Sequence, residues 1–394
     1  MRLNMIQLSI ISTNDINMQK LHFLILILLF SSCLNEKTGL RDESLQILSS
    51  DGNYLAKNLV NYDNDYLITG VRNEKSDVSS INFLDVKTWD EGQGYIAVLN
   101  NVGEPIITYT DDSVGSIYSS INYDKDTIYV GGTHDNEFMW LKFLKGESSF
   151  NDPLEIKWKN EEFSEGVINL IQKVGDRIIV VGRGSLRSGG EKVYLAGFST
   201  DGELLWEKMN DRLSQYILPK EIKEENGKVK ALVWEIKEFE TKEEVAEYTI
   251  DPELGLIESV NFLSVDDYYF TDATWLYNGI VGLAKSEGKE DKLFWMPSSG
   301  EAKEIEYDYG GTELGYLIGK ENYFIVTSPL EGDSEIKYHN ITINGSGDVL
   351  SHEEFINSVD SRLIGVDYLP GDDQYLTLTS SLLKFKYVLE FRKN

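Results

Sequence analysis

At 394 residues, with 41% apolar and 11% aromatic side chains, the chain carries enough core-forming residues to exclude wholesale disorder. Its formal net charge of −29 repels nucleic acid and anionic headgroups, leaving neutral glycans, cations and basic protein surfaces as fitting partners. A single cysteine excludes an intramolecular disulfide and any cysteine-built metal site.

The first readable element runs from Met18 to Cys33 (MQKLHFLILILLFSSC). Lys20 opens it, an apolar run from Leu21 to Phe30 follows, and the small residues Ser31 and Ser32 precede the cysteine. That is the layout of a secretory signal. The apolar run is too short for a bilayer span, which needs about 20 residues. The Ser-Ser-Cys ending resembles the lipobox of bacterial lipoproteins, with Phe30 where that family usually places Leu. The resemblance implies cleavage before Cys33 and acylation of its sulfur. With Leu34 following, it also implies passage to the outer membrane of a Gram-negative envelope. Several acyl chains on one residue would anchor stably, at about 0.8 kcal/mol per buried CH₂. That family's pattern starts close to its basic residue, here Lys20, so the resemblance implies translation from Met18. Residues 1–32 are then a signal peptide, 33–43 a polar lipidated tether and 44–394 the folded domain.

Ser44 to Ser49 reads as a lone strand. Beyond it the chain repeats, most clearly from Gly166 to Met209, where VINLIQ, RIIVVG, VYLAGF and ELLWEK alternate with turn residues. Asp201-Gly202 between two strand-like runs is a hairpin signal, because a tight turn needs positive φ at its centre. The unit is therefore a four-stranded antiparallel meander. Its first hairpin turn recurs at Asn64-Asp65, Lys125-Asp126, Gly175-Asp176, Asn226-Gly227, Asn278-Gly279, Glu321-Asn322 and Asp372-Asp373, roughly fifty residues apart. Each turn leads into an apolar run: YLITG, TIYVGG, RIIVVG, KVKALVW, IVGLA, YFIVTS and YLTLTS. The third-to-fourth turns recur too, at Asp201–Glu203, Pro252–Gly255, Ser299–Glu301 and Gly345–Asp348, with a looser one from Gly146 to Pro153. The last copy supplies three strands, and the lone strand at Ser44 can complete it. The expectation is an all-β fold, a seven-bladed β-propeller of four-stranded antiparallel blades closed by the N-terminal strand, with eight blades as the alternative count.

Segments such as VYLAGFSTDGELLWEK resemble the strand–Asp-Gly–strand-Trp repeats of quinoprotein-like propellers and of propeller lipoproteins. Trp158 and Tyr307 stand as partial counterparts of Trp206. A propeller lipoprotein of this size also resembles the one in the outer-membrane protein assembly machine. The Ala-Leu-Asp, Thr-Gly and Trp signature of quinone-dependent enzymes is absent, and no cofactor is expected.

Chemistry-bearing motifs are sparse. Gly182-Arg-Gly184 lacks the third glycine and the following helix of a dinucleotide loop. Ser-His-Asp chemistry would need His134, His339 or His352. His134 reads as a loop residue; His339 and His352 read as solvent-facing strand residues, with Glu353 and Glu354 as conceivable co-ligands of a metal. The expectation is no metal and no catalytic set. With 66 acidic residues, close carboxylate pairs arise by chance and identify no glycosidase.

Binding residues are sought on the loops instead. In a propeller the loops between second and third strands share a face with those joining successive blades. The insertion Val71–Gly94 brings Phe83 and Trp89 to that face, and Asp111, Asp112, Asp266 and Asp267 fall beside it. The remaining tryptophans, Trp140, Trp158, Trp206, Trp234, Trp275 and Trp295, read as packing between blades. The functional expectation is a lipid-anchored envelope propeller acting as a non-enzymatic binding or scaffold module for a protein or glycan. The alternative is an envelope enzyme of glycan-cleaving or dehydrogenase type.

Overall fold

The computed structural model describes residues 44–47, 53–62, 65–73, 92–100, 105–124, 127–135, 138–145, 154–237, 243–309, 313–329, 335–358, 361–369, 374–381 and 386–393. Cys33, the tether, residues 74–91 with Phe83 and Trp89, and the connection 146–153 lie outside them.

Among the described residues the fold is all β, in six antiparallel sheets. The first holds Asn53–Tyr62, Asp65–Asn73, Gln93–Leu99 and Pro105–Thr110 (β2–β5); the second holds Ser116–Asp124, Thr127–His134, Phe138–Lys145 and Leu154–Trp158 (β6–β9). An eight-stranded sheet follows in two halves. One is Phe163–Val174, Arg177–Leu186, Glu191–Ser199 and Leu204–Met209 (β10–β13). The other is Ser214–Glu225, Lys228–Lys237, Glu243–Asp251 and Leu256–Phe262 (β14–β17). The ladder between the two halves is a single residue pair, Glu191 and Ser214. Next come Ser264–Val265, Tyr268–Leu276, Gly279–Lys285, Lys292–Pro297 and Lys303–Glu304 (β18–β22), then Leu317–Lys320, Tyr323–Pro329, Glu335–Ile343 and Val349–Ser358 (β23–β26). The last sheet combines Ser361–Leu369, Gln374–Ser381 and Lys386–Lys393 (β27–β29) with Ser44–Ile47 (β1).

The closing strand is in place. β1 pairs antiparallel with β29, Ser44 opposite Glu390 and Ile47 opposite Tyr387, so the row of backbone groups on β29 finds partners from the other end of the domain. The first strands follow one another around a cycle: β2 packs on β6, β6 on β10, β10 on β14, β19 on β23, β23 on β27, and β27 back on β2. This is a β-propeller.

The hydrophobic core is distributed accordingly. Each cluster is shared by two neighbouring sheets or, in the eight-stranded sheet, by its two halves. Leu67, Ile96 and Val98 meet Tyr118, Ile121 and Val130; Val181 and Leu195 meet Ile217, Val233 and Ala246; Ala56, Ile68 and Tyr95 meet Leu378 across the closure. Burying each such side chain contributes about 1.5–3 kcal/mol, gained only when the neighbouring sheet is present.

A recurrent irregularity fixes the inner wall. Six first strands carry one extra residue at the same distance from the hairpin turn: Lys57, Ser119, Asn169, Lys220, Thr271 and Ile364. Each such β-bulge raises the local twist and turns its side chain out of the pleat. Opposite three of them stand Gly70, Gly132 and Gly182, where an added Cβ would run into the carbonyls of Leu55, Ile117 and Val167. At the outer wall, the turn glycines Gly202 (φ 87°) and Gly255 (φ 65°) lie against the preceding unit, the first on Leu154 and Ile156, the second on the Trp206 ring.

Candidate functional site

The first strands are joined to one another by side chains as well as by packing. Ser119 donates to the carbonyl of Ile168, and Asn122 Nδ2 donates to that of Ile171 at 3.2 Å. The Glu221 carboxylate accepts from Thr274 Oγ1 at 2.6 Å and from the backbone N–H of Trp275 at 2.9 Å. One residue past the next bulge, Asp272 accepts from the N–H of Leu317 at 2.9 Å and pairs with Lys220. Tyr316 takes up the N–H of Leu363 at 2.8 Å. The bulge level is therefore a polar seam. Burial pushes the Glu221 carboxyl up to about 7, against the pull of the Thr274 and Trp275 hydrogen bonds and of Lys220.

The expected binding residues have varied surroundings. Asp111, 2% exposed, is committed inward: it accepts from Tyr118 Oη at 2.5 Å and from Ser113 N–H at 2.8 Å, and it pairs with buried Lys142. Burial alone would raise its pKa; the hydrogen bonds from Lys142 and Tyr118 outweigh burial and hold it below the ordinary carboxylate value. The residue is a link between β7–β9 and the strand β6, a role that local sequence does not reveal. Asp112 is exposed beside it. Asp266 sits at φ 49° in the tight turn between β18 and β19, and Asp267 meets Lys289 at 3.1 Å. Among the described residues no group of three or more His, Asp or Glu side chains could hold a metal ion.

Two histidines depart from expectation, while His352 is an exposed residue of β26 as expected. His134 ends β7, opposite Phe138, and meets Asp135 at 3.1 Å. His339 does not face solvent: it is 0% exposed, because β25 is covered on both faces along most of its length. Its Nε2 lies 2.8 Å from Ser328 Oγ and its Nδ1 lies 3.2 Å from Glu354 Oε1. The carboxylate places the ring proton on Nδ1, so Nε2 accepts from the serine hydroxyl. Tyr307 and Tyr309 pack edge-on to the ring at 5.7 and 5.5 Å. Tyr307 was expected within a strand; β22 instead stops at Glu304, and the following segment turns both tyrosines onto His339. Tyr307 Oη donates to Glu354 at 3.2 Å, and burial with the Glu354 charge pushes its pKa up to about 12.

Ser328, His339 and Glu354 thus have the connectivity of an acyl-transfer triad. Geometry opposes that use. Ser328 is 3% exposed, and its hydroxyl, the would-be nucleophile, is enclosed between β24 and β25. Burial also lowers the His339 pKa, disfavouring the imidazolium that taking the serine proton would form. What the network does is bind three strands of one sheet together. A sequence signal existed in the register: His339 pairs with Glu354, and Ser328 lies diagonally across.

No protein-family model and no characterised protein matches the sequence. Among solved structures the chain is similar to the Pyrococcus horikoshii acylaminoacyl peptidase, at 12% identity and a TM-score of 0.51, over 89% of this chain and 52% of that one. It is similar to an acylaminoacyl peptidase in complex with Z-Gly-Gly-Phe-chloromethyl ketone, at 12% identity and a TM-score of 0.52, over 86% and 51%. The β-propeller domain of the Trilobed protease from Pyrococcus furiosus, described as having an open velcro topology, aligns at 12% identity and a TM-score of 0.49, over 86% and 95%. The chain spans about half the length of the two peptidases, and the likeness to them is one of fold: the β-propeller.

Proposed function

We propose that the chain is a lipid-anchored, seven-bladed propeller that serves a cell envelope as a non-enzymatic binding module, holding a protein or glycan on its loop face. The observation that carries the non-enzymatic reading is the enclosure of Ser328 and His339, which leaves only the Glu354 end of the chain at the surface. The one serine–histidine–carboxylate chain among the described residues is spent on joining strands. Asp111 and Lys142 are spent in the same way. Seven blades are supported by the seven first strands of the cycle and by the single-pair junction inside the eight-stranded sheet, which reads as two blades in contact. The anchor rests on the Met18–Cys33 signal, and the choice of face rests on the Phe83 and Trp89 insertion.

In-cell crosslinking of the wild type and of a variant with residues 77–89 replaced by a short Gly-Ser linker tests the binding reading. Recovery of one envelope component with the wild type alone supports it; identical recoveries remove the loop face. Cys33→Ala should abolish labelling by a fatty-acid probe, and persistent label would overturn the anchor.

A further inference from the structure

On the outer rim a groove of about 390 Å³ lies between β13 and β17, the outermost strands of the two halves of the eight-stranded sheet. Its apolar lining comes from Met209, Ile257 and Val260, with half-exposed Leu256 at its margin. Its polar lining includes Lys208 and Arg212, two cations against the single exposed carboxylate of Asp211, on a chain whose formal charge is −29.

Arg212 is held from behind. Its Nε lies 3.1 Å from Glu235 Oε2, and its guanidinium carbon sits 4.1 Å from the centre of the Phe262 ring. Glu235 is itself fixed: it is 0% exposed and accepts from Ser214 Oγ at 2.9 Å and Tyr248 Oη at 2.5 Å. Asn210 in turn donates to Tyr248 Oη at 3.1 Å. The guanidinium is thereby oriented before any ligand arrives. Its terminal nitrogens make no hydrogen bond to a described residue. Lys208 is exposed and has no ion pair among the described residues. An oriented guanidinium fork suits a carboxylate, which it can hold through two parallel charge-assisted bonds. The two strands that flank the groove add a second feature. Among the described residues β13 pairs only with β12 and β17 only with β16, so each offers an edge free of described strands to an extended backbone.

We propose that this groove captures the C-terminal end of a partner polypeptide. The free α-carboxylate sits on Arg212 and Lys208, the last apolar side chain enters between Met209, Ile257 and Val260, and the preceding backbone runs along a strand edge. Arg212 lies on the connection between β13 and β14, so the groove borders the loop face, but its lining includes neither Phe83 nor Trp89 and its test is independent of theirs.

The test uses fluorescence anisotropy on the wild-type protein. The probes are a panel of N-terminally labelled hexapeptides ending in Leu, Phe, Val or Ala, each as the free acid and as the C-terminal amide. At least one free acid should bind saturably, and its amide should bind weaker by about tenfold or more, the share of a bidentate charge-assisted contact. Arg212→Lys keeps a charge beside Glu235 but removes the fork, and should weaken the acid by a similar factor while leaving the amide unchanged. Leu256→Glu leaves the Arg212–Glu235 pair in place, sets a like charge at the groove margin, and should also weaken the acid. Equal affinity for acid and amide, or no binding by any free acid, overturns the proposal. If Arg212→Lys does not fold, as judged by its melting curve, Leu256→Glu decides alone, and unchanged acid affinity then overturns it.

Discussion

Glu221 provides a quantitative check on the polar seam. Its carboxylate joins β14 to β19 through Thr274 and the Trp275 N–H, and its enclosure raises its pKa from 4.5 to about 7. Above pH 7 both folded and unfolded chains carry the charge, and only the folded chain holds it away from water. As pH falls through 7 the folded state takes up a proton that the unfolded state refuses until about 4.5, so stability rises across that window. At 1.36 kcal/mol per unit, the gain from this group is at most about 3 kcal/mol between pH 8 and pH 4.5. Glu221→Gln keeps an acceptor for Trp275 and removes the charge. Urea unfolding of both proteins from pH 5 to 8 should show the variant more stable at pH 8 by up to about 3 kcal/mol. The advantage should shrink steadily toward pH 5. The difference between the two proteins cancels the titration of the many surface carboxylates. A difference that stays constant over that range would refute the argument that Glu221 carries a desolvated charge.

Three further outcomes follow from the packing. Gly182→Ala places a methyl against the Val167 carbonyl opposite the Asn169 bulge and should cost about 1–3 kcal/mol by thermal unfolding, with Gly345→Ala, whose methyl would meet nothing closer than 3.8 Å, as the contrast. Lys142→Met leaves Asp111 buried without its cation and should cost about 3–5 kcal/mol, much of it recovered by adding Asp111→Asn. Deleting Ser44–Ile47 exposes the edge of β29 and should lower the melting temperature and promote association measurable by light scattering.

The meanders were legible because each turn announces itself: Gly175-Asp176, Asn226-Gly227 and Asp201-Gly202 all fall between the strands they were expected to join. The closure was legible from the count of strands at the two ends. What the sequence concealed are features set by neighbouring sheets. The bulges at Lys57, Ser119 and Asn169 leave no local mark, although the glycines ending YLITG, TIYVGG and RIIVVG stand directly across from the strands that bulge. His339 was read as a strand residue on a wet face. A third strand sandwiched between two sheets has none, and both faces of β25 are covered from Tyr338 to Ile343. Asp111 looked like half of an acidic loop for a similar reason: Lys142, which neutralises it, lies two strands away. The capture groove was invisible, since it brings Arg212 beside Phe262 from the next meander.

The pairing of β1 with β29 also orders events in time. The first strand of the domain to leave the ribosome is the last to find its partner, because Tyr387 to Glu390 emerge only after all the strands between them have been made. Until then β1 and the first face of β2 wait without the sheet that will cover them, and the interior shared by Ile68, Tyr95 and Leu378 cannot form. The slowest contact to assemble is thus the one of greatest sequence separation, and the ring stays open to unwanted strand pairing for as long as its two ends remain apart.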